Sequence, residues 1–121
     1  MTTISVALCS VNSSKPSTPT MMVLKRKYLV TRISTYHYNR GGGDTPGTIS
    51  LSDRTGRVFG PWSPLAQNPD KSDTRLYWMV RPNLVLPAGS YRILDSNVST
   101  WSNNRASGYA GMTNVWGVPC D

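Results

Sequence analysis

The chain has 121 residues and a formal net charge of +7, from 13 Lys plus Arg against 6 acids, every acid being Asp. That length fits one domain over residues 1–121, large enough to bury a core without metal or disulfide staples. No run of roughly 18 apolar residues is present, so neither a transmembrane helix nor membrane insertion is expected. Scarce helix formers beside abundant Gly, Pro, Ser, Thr and Asn point to a turn-rich, all-β chain.

Ile4, Val6 and Leu8 alternate with Ser5, Ala7 and Cys9, which predicts a half-buried first strand. Asn12 to Pro19 is a polar connector whose two prolines rule out a central strand. Met21 to Leu24 predicts a short second strand, and Lys25-Arg26-Lys27 a charged turn. Tyr28 to Tyr38 is the longest β-prone run. Its apolar parity switches, with Leu29 and Ile33 on one side and Val30, Tyr36 and Tyr38 on the other, which a bulge or a strand passing from core to open surface would explain. The loop Asn39 to Asp44, with Gly41, Gly42 and Gly43, calls for positive φ and close backbone approach.

Thr48 to Ser52 follows, with Ile49 and Leu51 inward. Asp53-Arg54-Thr55-Gly56 reads as a hairpin turn returning through Val58 and Phe59, and Gly60-Pro61-Trp62 ends that strand. Ser63 to Thr74 is a long polar loop. Leu76 to Val80 alternates, with Trp78 in the core. Leu84 to Leu86 is expected to pair across Pro87-Ala88-Gly89 with Tyr91 to Leu94, and Thr113 to Val118 forms the last strand. About eight or nine short strands with turn signals between them predict a single-domain antiparallel β-sandwich, jelly-roll-like, without internal repeats.

Catalytic constellations are poorly supplied. His37 is the only histidine and no serine lies in a G-x-S-x-G context, so a hydrolytic triad is not expected and the chain reads as no enzyme. One His and two distant Cys make no zinc site. Calcium has oxygen donors in Asp44, Asp53, Asp95 and Asn97, but their spacing matches no calcium loop. Asp53 is better read as a turn former and Asp95 as a cap on loop N–H groups, so no cofactor is expected. Cys9 and Cys120 lie at opposite ends; a bridge between neighbouring terminal strands and two free thiols are both open.

The aromatic set carries more information. Tyr36, His37, Tyr38, Trp62, Trp101, Tyr109 and Trp116 fall in or beside loops, interleaved with Asn39, Ser102, Asn103, Asn104 and Arg105. Rings beside amides and a carboxylate suit sugar recognition. Rings with arginines suit stacking on single-stranded nucleic acid, the less favoured partner. Rings closing the ends of a sandwich would need no ligand at all. The basic surplus likewise favours anionic partners, or simply solubilises the surface.

The segments TYHYN at 35–39, TPGTISL at 45–51, GRVFGPW at 56–62 and LPAGSYRILDSNVSTWSNN at 86–104 resemble an uncharacterised bacterial domain that occurs alone or appended to larger, often exported proteins. The likeness covers most of Tyr28 to Gly117. This chain carries Tyr38 where that family has Trp and Asn97 where it has an acid, which weakens any calcium or acid/base role for the Asp95 loop. The resemblance implies a β-sandwich, a site location and an extracytoplasmic setting, but no activity. The opening MTTISVALCSVNSSK, with no Lys or Arg before a short apolar patch, makes a poor signal peptide, so the localisation is unknown.

If the strands ending at Tyr38 and Asp95 are neighbours, then Tyr36, His37, Asn39, Trp62, Asp95, Trp101 and Asn104 are expected to share one rim. Two readings of that rim are open. It is a ligand site, or a hydrogen-bonded plug in which Asp95 fastens the loop, His37 satisfies a buried group and Trp101 covers the core. The leading function is a non-catalytic ligand-binding module, with a glycan or another small ligand as partner. The alternatives are a structural or protein-interaction module and a basic anion or nucleic-acid binder.

Overall fold

The computed structural model describes residues 15–64 and 75–121. The expected strand at Ile4 to Leu8 and most of the polar loop Ser63 to Thr74 lie outside the described residues. Eight strands follow in order: β1 (Met21–Leu24), β2 (Tyr28–Tyr36), β3 (Ile49–Ser52), β4 (Val58–Trp62), β5 (Tyr77–Val80), β6 (Leu84–Leu86), β7 (Gly89–Asp95) and β8 (Thr113–Pro119). They form two antiparallel sheets. The first has the order β1-β7-β3-β4; in the second, β2 pairs with β8 and with both β5 and β6. The expected all-β sandwich is what the chain adopts. The finer jelly-roll arrangement is not shown by this strand order.

Period-two alternation explains which faces meet. In the first sheet Met22 and Leu24, Ile49 and Leu51, and Tyr91 and Ile93 point inward; in the second, Val30, Ile33, Trp78, Val80, Leu86 and Val115 face them. The parity switch in β2 is resolved by a register shift against β8 between Val30 and Arg32, which lets Val30 and Ile33, three positions apart, both reach the core. Across β2, Ile33 to Tyr36 pairs with β5, while Tyr28 to Val30 pairs with β6. β5 and β6 are thus one row, interrupted over Arg81 to Asn83.

Pro87-Ala88-Gly89 is not a hairpin turn. β6 belongs to the second sheet and β7 to the first, so the chain crosses between layers there. Leu86 and Tyr91 then reach the same core from opposite sheets, and the Tyr91 hydroxyl donates back to the Pro87 carbonyl at 2.8 Å. Cys120 is half-buried and free among the described residues, and its backbone N–H donates to the Lys27 carbonyl; Cys9, which a bridge would need, lies outside the described residues.

Ile93→Ala is expected to destabilise the fold by about 2–5 kcal/mol, because the cavity would open in the shared core. Val85→Ala, at a position 50% exposed on the outer face, is expected to stay within about 0.5 kcal/mol. Urea unfolding of the two variants measures both.

Candidate functional site

The inward parity of two strands runs on past the apolar core into polar residues. In β2 the inward series Ile33, Thr35 continues to His37, and all three are fully buried. In β7 the series Tyr91, Ile93 continues to Asp95. The strands belong to opposite sheets and are not hydrogen-bonded neighbours, so the two polar residues meet across the layers. His37 Nε2 lies 2.7 Å from Asp95 Oδ2, with both side chains fully removed from solvent.

The other contacts of this pair come from loops and from the strand residues Thr35 and Trp78. The Thr100 hydroxyl lies 2.7 Å from His37 Nδ1 and donates to Asp44 Oδ2 at 2.7 Å. With its single proton given to Asp44, Thr100 accepts from Nδ1–H of His37. Asn97 Nδ2 also donates to Asp44 Oδ2, and the Asn97 N–H donates to Asp95 Oδ1 at 2.8 Å. Thr35 Oγ1 stands 3.3 Å from Nε2. The Trp78 ring stacks on the imidazole at 3.7 Å between centroids, and its Nε1 donates to the Asp44 carbonyl. Both histidine nitrogens are therefore occupied, and one ring face is covered.

The loop after β7 is fastened to the end of β2. The Ser102 N–H donates to the Tyr36 carbonyl and the Tyr38 N–H to Ser102 Oγ, each at 2.8 Å. Trp101 is buried, and its Nε1 donates to the Met112 carbonyl at 3.1 Å. Its ring lies flat against Gly111, where a Cβ would sit 2.0 Å from the indole, so only glycine fits.

The structure thus brings His37, Asp95 and Trp101 to one end of the sandwich as a hydrogen-bonded plug. Trp62 occupies the same transverse row, since Ile49 pairs with both Trp62 and Asp95, and it packs on the edge of the core. The remaining candidates face elsewhere. Tyr36 points outward and stacks on its cross-strand partner Tyr77 at 4.8 Å, with Tyr38 tilted at 6.1 Å. Burial, with Tyr77 and Tyr38 nearby, raises the Tyr36 phenol above its ordinary pKa. Asn39 is exposed, and its side-chain amide donates to the Gly43 carbonyl. Asn104 caps a short 3-10 turn, accepting from the Ser107 N–H while Ser107 Oγ accepts from the Asn104 N–H. Asn-x-x-Ser was the signal for that cap. Thr100 and Tyr77, absent from the expected set, prove central to the plug and to the outer ring stack.

The calcium donors divide. Asp44, Asp95 and Asn97 converge, but the oxygens that do so receive N–H and O–H donors. Asp53 lies at the far end of β3, where its Oδ1 accepts from the Thr55 N–H, the Thr55 hydroxyl and the Arg57 N–H. Those bonds, the Thr55 hydroxyl foremost, hold its carboxyl below the usual range. Asp95 and Trp101 also border a hollow of about 200 Å³ between Pro16–Thr20 and β7. Comparison with protein families, curated proteins and solved structures finds no match to this chain.

Asp95→Ala leaves the His37 ring buried without its carboxylate and is expected to cost about 3–5 kcal/mol in urea unfolding. Replacing both residues by Leu is expected to cost less than that single change. For Asp53, an NMR titration is expected to give a midpoint below the ordinary carboxylate value. A carboxylate lowered in the folded state stabilises above its unfolded pKa, so its contribution to the hairpin is lost as pH falls through the folded midpoint.

Proposed function

We propose that the chain is a non-catalytic ligand-binding module with carbohydrate as its ligand class, and that the ligand meets the tyrosines on the outside of the plug. The single observation that carries this reading is the pair of exposed rings, Tyr38 and Tyr77, that flank the buried ring of Tyr36 on the outer face. Tyr38 is 41% and Tyr77 44% exposed; the Ser102 hydrogen bonds fix the backbone at Tyr36 and Tyr38, and Tyr77 pairs with Tyr36 across the strands. Exposed ring faces take the polarised C–H groups of a sugar, and the phenol hydroxyls can bond its hydroxyls. Ordering such a platform in advance reduces the entropy lost on binding.

The adjacent loop supports the same reading. Asn39 and Arg40, neither of them glycine, hold φ of 42° and 58°, in the left-handed region, beside Tyr38. Strain of that kind concentrates at binding loops. The buried state of His37 and Asp95, with both ring nitrogens engaged, supports a role in scaffolding rather than proton transfer. Should the tyrosines prove to bind nothing, the plug favours the structural-module reading.

A glycan array followed by NMR titration of the hits tests the proposal. Tyr38→Ala and Tyr77→Ala are each expected to weaken binding by about tenfold while circular dichroism stays unchanged. An array without signal, or affinity indifferent to both substitutions, would overturn it.

A further inference from the structure

Midway along the outer face of the second sheet, two backbone irregularities coincide. β2 shifts register against β8 between Val30 and Arg32. On the other side of β2, the β5–β6 row breaks over Arg81 to Asn83, between the pairs Ile33–Val80 and Val30–Leu84. Asn83 holds a left-handed φ of 48° at that break. Bulges of this kind re-aim side chains next to sites. Here they open a hollow of about 510 Å³ lined by Thr31, Arg32, Arg81, Asn83, Trp116 and Gly117.

The hollow is basic. Arg32 lies across from Trp116 in the register, and its guanidinium carbon stands 4.1 Å from the centre of the indole. Stacking holds the planar group in place while leaving its N–H edge for a ligand. The Thr31 hydroxyl donates to the Trp116 carbonyl at 3.1 Å, fixing β8 beside the bulge. Arg81 is exposed on the opposite wall. Among the described residues, no carboxylate compensates either arginine. Asp44 and Asp95 serve the plug, Asp53 serves its own turn, and Asp121 pairs with Arg26.

We propose that this hollow binds the phosphate group of a phosphorylated small molecule. Two guanidiniums without a carboxylate partner among the described residues suit the forked geometry of a phosphomonoester. The volume falls within the roughly 300–1,000 Å³ typical of small-molecule sites, which leaves room beside the phosphate for the rest of a ligand against Asn83 and Trp116. The site shares no residue with the tyrosine stack, so it stands independently of the carbohydrate reading.

Isothermal titration calorimetry at fixed, moderate salt tests this with inorganic phosphate, glucose 6-phosphate and AMP, glucose serving as the uncharged control. Saturable binding of the phosphates and none of glucose is expected. Arg81→Ala, an exposed substitution whose fold circular dichroism checks, is expected to weaken that binding by about tenfold or more. Arg81→Lys is expected not to restore it, because an ammonium cannot reproduce the fork. Tighter binding of glucose 6-phosphate or AMP than of inorganic phosphate supports recognition of the attached group as well; equal affinities support recognition of phosphate alone. Absence of saturable phosphate binding, or binding unchanged by both Arg81→Ala and Arg32→Gln, would overturn the proposal.

Discussion

His37 and Asp95 meet between the sheets at 2.7 Å, with no part of either side chain reaching solvent. Removing two ionisable groups from water is costly, and their attraction offsets that cost only when the remaining hydrogen-bond capacity is also met. Thr100, Asn97 and Asp44 meet it from the loops. Such a network adds little net stability over an apolar filling of the same shape. Its effect is discrimination, because any packing that buries one partner without the other is strongly disfavoured. The end of the sandwich is thereby held in one arrangement. The backbone of Tyr36 and Tyr38 inherits that rigidity through Ser102.

Much of this was legible in the residues. Alternation, β-prone runs and turn signals located every described strand, although β4 runs on through Gly60 and Pro61 to Trp62 where those residues were expected to end it, and the parity switch in β2 matches the bulge that the register against β8 contains. The meeting of His37 with the Asp95 loop was expected from neighbouring strand ends; it occurs instead across the two sheets, where Asp95 lies one inward step past Ile93 and His37 two past Ile33. What stayed hidden has physical causes. Pro-Ala-Gly chemistry is the same whether a chain folds back within a sheet or crosses to the other layer, so Pro87 to Gly89 did not disclose the crossover. Tyr36 sits one residue from His37, and a one-residue step in a strand reverses the face. Loop residues have no period at all, which concealed Thr100 as the partner of the buried ring and Asp44 as the acceptor behind it.

The charge distribution follows from the same economy of acids. With 6 Asp and no Glu in the whole chain, each described carboxylate has a local task in a turn, the plug or the terminal pair with Arg26. The positive surplus is consequently left on the outer surfaces, and Arg32 and Arg81 fall where the sheet is irregular enough to be concave. A flat face would spread such charge over solvent; the double break gathers it around an indole.

The plug also bears on how the chain reaches its folded state. Its contacts join positions 58, 63, 53 and 56 residues apart in sequence. Loops of that length close only after nearer pairings, such as the β3–β4 hairpin, have reduced the entropy still to be lost. The histidine–aspartate contact is therefore expected among the last to form and absent from the folding transition state. In that position it acts as a kinetic latch, slowing escape from the native state while leaving the rate of arrival almost untouched.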